Sequence, residues 1–390
     1  MKITRVECSV LLVPDYESKA CSSAQDDVVV RVYTDEGIVG IGETDTNPWA
    51  VKAYIESPST HVMSFGLGEL LVGQDPLQTE ALWDRMYEAT AMSGRRGLGV
   101  CAIGALDMAL WDVRGKAFGK PIWELLGGAK QPRIRPYASL LPNGNNIEAY
   151  RENLCRKVVQ AKKYGFTAAK LEVCVNGPYS HMGLQEDDSE IVKVVGACRE
   201  AVGTNMTLMV DVAYCWNDWR TALETIRELE RYEIYFFETP LRVDDLDGYA
   251  SLAGRSPIRI ASGEWLQTRF EFQELIDRGH VDVAQPDVGR VGGLTEAKRV
   301  VDYAALRGKL IVPHCWKTGI GIAASAHLAA AASNCAFIEF LPADLSESAI
   351  RKELVSDEIS LEGDGYIKLP RKPGLGIELS DEAIGKYKVA

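Results

Sequence analysis

The sequence predicts an α/β protein in which a (β/α)8 barrel follows a smaller α+β domain. From about residue 130 onward, short β-rich runs alternate with amphipathic helical stretches, and there are eight such runs. Before that point, strands around a tight turn precede a long helical segment. A doubly wound sheet is the alternative architecture, but it rarely gives eight such even units.

The chain is predicted to open with three strands. In KITRVECSVLLV, the residues Ile3, Val6, Cys8 and Val10 are expected to form one buried face. The apolar run is short and alternating, and no small-residue cleavage site follows it, so we interpret it as a strand rather than a signal peptide. DDVVVRVYTDEGIVGIGET then predicts two strands around the turn TDEG.

Residues 76 to 119 are predicted to be helical. The stretch GVCAIGALDMALWDVRGKAFGKPIWELLGG is apolar on nearly every face, which predicts a buried helix. Gly119 and Pro121 are expected to end it, because glycine favours the helix C-cap and proline cannot continue a helix. In the barrel, the predicted strands are RIRPYASL, FTAAKLEV, MTLMVD, IYFFE, IRIASGE, VDVAQPD, KLIVPH and AFIEF.

Composition and charge restrict the classes of partner. The chain of 390 residues carries a formal net charge of −12, which argues against a nucleic-acid partner but not against a small anionic substrate. No stretch of about twenty apolar residues is present to span a membrane. The nine cysteines include no C-x-x-C pair and are expected to be reduced thiols in the cytoplasm.

Six acidic or basic residues end successive predicted barrel strands. The intervals between them are 27, 26, 23, 27 and 25 residues, which is one strand-helix unit each time. Because the carboxyl ends of barrel strands share one mouth, where barrel active sites lie, we expect these side chains to converge there. They are Asp211, Glu238, Glu264, Asp287, His314 and Glu339.

Three of these residues predict a metal site. Asp211, Glu238 and Glu264 end consecutive strands and offer hard oxygen ligands without His or Cys. Such a set suits Mg²⁺, which keeps other positions for water or substrate. A metal would also neutralise carboxylates that otherwise repel one another. For Glu238 alone, the simpler interpretation is a carboxylate paired with Lys or Arg.

His314 and Asp287 predict an acid–base pair. A carboxylate on a neighbouring strand can bond one imidazole nitrogen and direct the other toward a substrate. A lone histidine at a strand end is more often structural, but Asp287 and the predicted metal site favour a catalytic role. The other four histidines lie in predicted loops or helices and show no such placement; they are His61, His181, His280 and His327.

These motifs resemble those of the enolase superfamily, and within it the mandelate racemase subgroup. GALDMALWDVRGKAFGKPIWELLGG resembles the family signature at the junction of capping domain and barrel, and LMVD, FFETPL, ASGE, QPDVGRVGGLTEA and VPHCWKTGIG match its barrel motifs in order. The resemblance covers nearly the whole chain. It implies a capping domain over residues 1–125, a modified barrel over residues 126–360, and a segment over residues 361–390 that completes the capping domain.

The resemblance also implies roles for the site residues. It implies that the three carboxylates bind Mg²⁺ and that His314 with Asp287 forms the base dyad. Glu339 would hydrogen-bond the substrate carboxylate or enolate. Members of the family remove a proton next to a carboxylate, and Mg²⁺ stabilises the charge that develops.

The second barrel strand departs from the family pattern. Many members carry Lys-x-Lys there, with the second Lys as a base opposite the His, whereas this chain has Lys170 and Glu172 at those positions. Lys170 is expected to pair with the substrate carboxylate, or else to be a structural Lys paired with a barrel acid. Glu172 is either an acid–base group, a partner of Lys170 or an acceptor for a substrate hydroxyl, which we favour.

This departure favours elimination over racemisation. Racemisation needs proton donors on both faces of the α-carbon, whereas a single His can take the α-proton and return it to a departing β-hydroxyl on the same face. We therefore predict a Mg²⁺-dependent dehydratase of aldonates or aldarates that makes a 2-keto-3-deoxy acid, similar to the rhamnonate dehydratase group. The alternatives are an epimerase or racemase that uses Glu172, a catalytically silent family member, and a metal-dependent aldolase on an unrelated barrel.

Specificity is expected to come from loops over the barrel mouth. PDYESKACSSAQ and TDTNPWAVKAYIESP are candidate closing loops, and NGPYSHMGLQEDD is a candidate further lid. Arg290 is expected to hold a distal carboxylate or to brace a loop. We also expect a homo-oligomer. Trp49 is expected to shape the pocket. The candidate aromatic contacts for a sugar chain, each equally consistent with simple packing, are Tyr214, Trp216, Trp265 and Trp316.

Overall fold

The computed structural model describes residues 1–18, 20 and 22–390. Lys19 and Cys21, in the predicted loop PDYESKACSSAQ, lie outside the described residues. The chain opens with a three-stranded antiparallel sheet in the order β1-β2-β3. Its strands are β1 (Ile3–Leu12), β2 (Asp26–Thr34) and β3 (Val39–Glu43). The predicted turn TDEG joins the last two of them, as expected.

The first strand buries Ile3, Cys8 and Val10 and half-buries Val6, although the numbering of these residues changes from odd to even. Ile3 is odd-numbered, whereas Val6, Cys8 and Val10 are even-numbered. The register of β1 against β2 shifts between Ile3 and Arg5. An extra residue in one strand moves the following side chains to the other face, so Ile3 joins Cys8 and Val10 in the buried set.

Residues 76 to 119 form three helices instead of the single helical region that the sequence predicted. Gly97, with φ of 64°, breaks the helical backbone just before the long buried helix. Gly119 ends that helix in a left-handed conformation, as expected. The helices of the N-terminal part are α1 (Pro48–Glu56), α2 (Leu67–Leu71), α3 (Thr79–Ala89), α4 (Ala91–Gly94), α5 (Leu98–Phe118) and α6 (Ile122–Leu125).

The rest of the described chain follows a strand-helix alternation. Its strands are β4 (Arg133–Ile134), β5 (Pro136–Leu140), β6 (Ala168–Glu172), β7 (Thr207–Asp211), β8 (Ile234–Glu238), β9 (Arg259–Ser262), β10 (Val283–Ala284), β11 (Leu310–Ile311), β12 (Ile338–Phe340) and β13 (Ile367–Lys368). Its helices are α7 (Ile147–Lys163), α8 (Asp188–Val202), α9 (Trp219–Leu229), α10 (Leu246–Ala253), α11 (Thr268–Asp277), α12 (Val288–Val291), α13 (Gly293–Leu306), α14 (Gly319–Ala330), α15 (Ala349–Glu353) and α16 (Asp381–Tyr387).

Within the described residues, eight parallel strands form one curled sheet. Their order is β11-β10-β9-β8-β7-β6-β5-β12, so every predicted barrel run supplies one strand. The two ends of this sheet meet through a parallel bridge between Ile311 and Cys335 and through a bond from Glu339 N to Pro313 O of 3.3 Å. The predicted α/β fold with an N-terminal antiparallel sheet is confirmed.

The interior of the curled sheet is filled by a separate apolar cluster. It takes one buried side chain from each strand or its flank: Tyr137, Ala168, Met209, Phe236, Ala261, Val283, Val312 and Phe337. Side chains alternate between faces along a strand, so the residue two positions later points to the same side. This places Lys170, Asp211, Glu238, His314 and Glu339 directly above the apolar cluster.

The C-terminal residues contact the N-terminal sheet. Val10 N donates to Ala390 O and Val389 N donates to Val10 O, each over 2.9 Å. The strands β13 and β4 also pair with each other antiparallel. The domain boundaries given above stay a prediction. Of the helices in the described chain, none combines the length and apolar character needed to cross a membrane.

Candidate active site

Three carboxylates form the floor of the barrel mouth. One oxygen each from Asp211, Glu238 and Glu264 lies within 4.8 Å of the others, and all three residues are buried. Asp211 and Glu238 are the last residues of β7 and β8 and pair in register. Glu264 lies two residues beyond β9, and Gly263, with φ of 124°, provides the turn that brings it inward.

Each carboxylate is oriented by a hydrogen bond to one of its oxygens. Thr239 Oγ1 donates to Oδ1 of Asp211 over 2.6 Å, and Gln285 Nε2 donates to Oε2 of Glu238 over 2.7 Å. Tyr214 donates from its hydroxyl to Oε1 of Glu264 over 3.0 Å. Such partners commonly orient metal ligands, and the remaining oxygens are hard donors of the kind that Mg²⁺ prefers.

The electrostatics of the triad call for a compensating cation. Burial raises the pKa of Glu238 well above its usual value, and the negative charge of Asp211 raises it further against the effect of Lys170. Burial likewise raises the pKa of Glu264. Both effects arise because charged carboxylates lose water and lie near one another. A divalent ion among these oxygens would offset that cost, so the residues fit the expected metal.

Lys170 lies between the triad and the neighbouring acid. Its Nζ is 2.8 Å from Oε1 of Glu238, 2.8 Å from Oε1 of Glu339 and 3.5 Å from Oδ2 of Asp211. Burial alone would lower the pKa of Lys170, but Glu238 and Glu339 outweigh it and raise the pKa. Lys170 therefore pairs with barrel acids, as expected if its role is structural. Its role toward a substrate stays a prediction.

His314 and Asp287 form the predicted pair. Nδ1 of His314 lies 2.8 Å from Oδ2 of Asp287, and Nε2 lies 3.3 Å from Oε2 of Glu264 on the other side of the ring. The second oxygen of Asp287 accepts from Arg290 N over 3.0 Å and caps α12, which holds the carboxylate in place. Burial lowers the pKa of His314, but Glu339, Glu264 and the bond to Asp287 outweigh it and raise the pKa to about 9.

Glu339 is fixed on both of its oxygens. Oε1 accepts from Ser139 Oγ over 2.6 Å, and Oε2 accepts from Cys315 N over 2.8 Å. Burial alone would raise the pKa of Glu339, but Lys170 and His314 outweigh it, and the pKa is lowered. Glu339 therefore belongs to the same charged layer as the triad and the dyad.

A cavity of about 370 Å³ opens onto this centre. Its walls include Lys170, Asp211, Glu264 and His314, together with several of the aromatic residues that the sequence singled out. Tyr214 and Trp265 stack with ring centroids 4.1 Å apart, and Trp316 bonds Ser22 Oγ through Nε1 over 3.1 Å. All three line the cavity, so a sugar chain that entered it would meet them.

Arg290 and Trp49, two of the predicted substrate-binding residues, have surroundings that differ from those expected for substrate contact. Arg290 donates from Nε to Asp45 O over 2.8 Å, pairs with the Asp45 carboxylate and reaches Glu264 O at 3.3 Å. It therefore braces the segment after β3, which is the second of the two roles expected for it. Trp49 is 43% exposed at the start of α1 and is not among the residues that line the cavity. The predicted role of Trp49 in shaping the pocket stays a prediction.

Sequence reasoning missed His181. It lies in the stretch NGPYSHMGLQEDD after β6, and its ring lines the cavity. Its Nε2 is 3.8 Å from Oε2 of Glu172, and burial lowers the pKa of His181 to about 4. Burial also raises the pKa of Glu172 to about 8. The signal that could have identified His181 is a histidine in the loop after the strand that carries the unusual Glu172.

Comparisons with known proteins identify the family of the chain. The N-terminal domain of the mandelate racemase/muconate lactonizing enzyme family matches residues 2–127, and the enolase C-terminal domain-like family matches residues 153–383. The chain is similar to D-galactarolactone cycloisomerase of Agrobacterium fabrum, with 32% identity over 100% of this chain and 99% of the relative. It is also similar to arabinonate dehydratase of Saccharolobus solfataricus, with 33% identity over 93% of this chain and 90% of the relative.

A solved structure shows the same fold. The 3,6-anhydro-D-galactonate cycloisomerase of Zobellia galactanivorans superposes with a TM-score of 0.85 and 30% identity, over 100% of both chains. The relatives thus include proteins that are named for loss of water and proteins that are named for ring isomerisation.

Proposed function

The chain belongs to the mandelate racemase/muconate lactonizing enzyme family of the enolase superfamily, and from this premise we propose that it is a Mg²⁺-dependent acid-sugar dehydratase. It removes the proton next to the carboxylate of an aldonate or aldarate and eliminates the β-hydroxyl as water. The enol that results tautomerises to a 2-keto-3-deoxy acid. The observation that carries the proposal is the His314–Asp287 pair, whose imidazole Nε2 lies beside the carboxylate triad, 3.3 Å from Oε2 of Glu264.

Asp211, Glu238 and Glu264 are the residues that would hold the ion. When bound, the ion supplies electrostatic stabilisation for the negative charge that develops on the substrate carboxylate as the α-proton leaves. Lys170 and Glu339 stand beside the triad and would bind the same carboxylate. Because Lys170 is already held by two acids, its ammonium group is positioned before the substrate arrives.

His314 is proposed as the base. Asp287 holds Nδ1, which leaves Nε2 directed toward the triad, where the α-carbon of a bound acid would lie. In the first step, the α C–H bond breaks and its proton moves to Nε2. In the second step, the β C–O bond breaks, the same proton goes to the departing oxygen, and water leaves. A single base on one face is sufficient for this syn elimination.

A cycloisomerase is the second candidate, and the similarity to two cycloisomerases over the whole chain favours it. The first step is the same removal of the α-proton by His314. The difference lies in the β-oxygen, which in this case belongs to a ring and stays attached to the product. Loss of water therefore separates the two candidates, because isomerisation leaves the mass of the substrate unchanged.

The partner proposed is a small acid sugar, not nucleic acid or membrane. We retain the cytoplasmic location and the homo-oligomer as predictions. Chromatography with light scattering on the full chain would measure the oligomeric state directly.

The test is a screen of aldonates, aldarates and their lactones with Mg²⁺. Products are detected as semicarbazones of 2-keto acids and by mass, and D₂O samples reveal α-proton exchange. We expect a dehydration product that disappears with EDTA and with His314→Asn, while His61→Asn, at an exposed position, retains activity. A 2-keto acid with the same mass as the substrate identifies the cycloisomerase.

Other outcomes contradict both candidates or the assignment of the base. Deuterium in recovered substrate of inverted configuration would identify an epimerase that uses Glu172. No turnover and no exchange across the library would identify a catalytically silent member. Dehydration that survives His314→Asn would remove His314 from the role of base.

A further inference from the structure

The face of the cavity formed by Glu172 and His181 is not used in the proposed reaction. β6 ends at Glu172, and the loop that follows returns His181 to the cavity as the first residue of a short 3₁₀ turn. His181 is buried, and its ring lies beside the ring of Tyr150, with centroids 5.9 Å apart. The buried environment means that each polar atom of these two residues needs an identified partner.

The hydroxyl of Tyr150 determines the tautomer of His181. It lies 2.9 Å from the carbonyl oxygen of Glu172, which can only accept, so the single hydroxyl proton is donated there. It accepts from Cys174 N over 3.1 Å. The third contact, to Nδ1 of His181 at 3.0 Å, therefore has to be donated by the imidazole. In the neutral ring the proton is on Nδ1, and Nε2 carries a lone pair.

Among the residues that the structure describes, none donates a hydrogen bond to this lone pair. Nε2 lies 3.8 Å from Oε2 of Glu172, which is beyond hydrogen-bond distance, and no hydrogen bond joins Nε2 to another residue in the part of the chain that the structure describes. Both atoms lie on side chains that line the cavity. An acceptor that faces the cavity without a donor from the described protein is suited to a group that donates a hydrogen bond from within the cavity.

We propose that Nε2 of His181, together with the Glu172 carboxyl group, forms a subsite that binds a hydroxyl of the acid sugar. The proposal rests on the proposed function. In that reaction C1 is the carboxylate, C2 loses its proton while its hydroxyl becomes the keto oxygen, and C3 loses its oxygen. The hydroxyls that take no part in the reaction are those at C4 and beyond, and we assign the subsite to one of them. Glu172 pairs in register with Asp211, which places this subsite directly beside the carboxylate triad.

The chemistry of the subsite also selects against a second carboxylate. A carboxylate has no hydrogen to donate to Nε2 of His181. Arg290 and Lys170, two cations of the cavity wall, are held by Asp45 and by Glu238 with Glu339. An aldonate, which presents hydroxyl groups along its chain, therefore fits this face better than the aldarate of the same configuration.

The tautomer is tested without a substrate. ¹⁵N NMR of histidine-labelled protein, with the His181 signals assigned by their loss in His181→Asn, reports which nitrogen carries the proton. We expect protonated Nδ1 and bare Nε2 at neutral pH, and a changed tautomer distribution in Tyr150→Phe. A proton on Nε2 in the wild-type protein would overturn the subsite whether or not the proposed function holds.

Recognition is tested with the active acid sugar from the screen and its 4-deoxy, 5-deoxy and 6-deoxy analogues. In the wild type, we expect one deoxy analogue to lose about 5- to 100-fold in kcat/KM, as for an unsatisfied buried acceptor. In His181→Phe, which keeps a ring without nitrogen atoms, the same analogue should lose less than 3-fold. Equal losses in wild type and variant would overturn the proposal.

His181→Asn separates recognition from a structural role. Its amide nitrogen can replace Nδ1 and donate to Tyr150, but the shorter side chain has no acceptor in the place of Nε2. We expect this variant to discriminate as poorly as His181→Phe while binding Mg²⁺ and unfolding like the wild type. If His181→Asn restores discrimination, His181 only holds the loop. Absence of any turnover in the wild type instead refutes the proposed function, and the NMR result still decides the tautomer.

Discussion

Nδ1 of His314 lies 2.8 Å from Oδ2 of Asp287, across the neighbouring strands β11 and β10. The same Asp287 caps α12 through its other oxygen, so one carboxylate both holds the imidazole and begins the next helix. The base is therefore oriented by a residue whose own position is fixed by backbone geometry. A substitution of Asp287 is therefore the most direct test of the dyad.

Asp287→Asn should lower kcat by about 100-fold or more, because the amide retains an oxygen for the helix cap but does not stabilise the imidazolium. Stability should change little, since the cap is kept. Steady-state kinetics with the substrate from the screen, together with thermal unfolding, measure both effects. A variant with wild-type kcat would show that Asp287 does not support the base.

Glu238→Gln should abolish the stabilisation of the protein by Mg²⁺. An ion that binds only the folded state at 100 times its Kd adds about 2.7 kcal/mol to the free energy of unfolding, and the loss of one charged ligand removes this gain. Unfolding with and without Mg²⁺, and calorimetric titration with Mg²⁺, provide readouts independent of activity. Asp344→Asn, a substitution outside the triad, is the control. Equal stabilisation of Glu238→Gln and wild type would place the ion elsewhere.

The protein should lose stability as the pH falls from about 6.5 to 4, in part through His327. Its Nδ1 accepts from Trp123 N over 3.2 Å, and its Nε2 lies 3.1 Å from Leu375 O, so the neutral ring satisfies both partners. Burial lowers the pKa of His327 to about 4, below the ordinary value of 6.5.

Stability falls with pH because unfolding takes up a proton. Between these two pH values the unfolded chain binds the proton and the folded chain does not, so acid favours unfolding, by about 3 kcal/mol at pH 4. His327→Gln should flatten the dependence of the unfolding free energy on pH in this window. His61→Gln, at an exposed position, should leave it unchanged. An unaltered slope in His327→Gln would contradict this assignment.

Gly104→Ala should destabilise the protein by about 1–3 kcal/mol, as for overpacking of a tight contact. A Cβ on Gly104 in α5 would lie 2.0 Å from the carbonyl oxygen of Gly289 in α12, two residues after Asp287. The clash would displace α12 and with it Asp287, so kcat should also fall. Urea unfolding and kinetics measure the two effects.

Gly385→Ala is the matched control for that substitution. It lies in α16, and a Cβ there would meet nothing within 4 Å. Alanine in this helix should stabilise the protein by about 0.5–1 kcal/mol and leave kcat unchanged. If both variants behaved alike, the close approach of α5 and α12 would have no energetic role.

The strand order and the identity of the charged layer were readable from the sequence. The period of one strand-helix unit placed six polar residues at strand ends, and alternation along each strand directed Asp211, Glu238 and Glu339 inward above the apolar cluster. The break in the predicted helix at residues 76–119 was not foreseen, because composition there favours helix on both sides of Gly97.

The fold class and the set of residues at the barrel mouth were predictable from the amino-acid sequence, because both follow from local periodicity. The surroundings of Arg290, which braces Asp45, and of Trp49, which lies outside the cavity lining, emerged only in the folded chain. Folding alone brought His181 to Glu172 and set its tautomer through Tyr150. The physical reason is that the path of a loop and the partners of a hydrogen bond depend on contacts between segments distant in sequence, which local patterns do not encode.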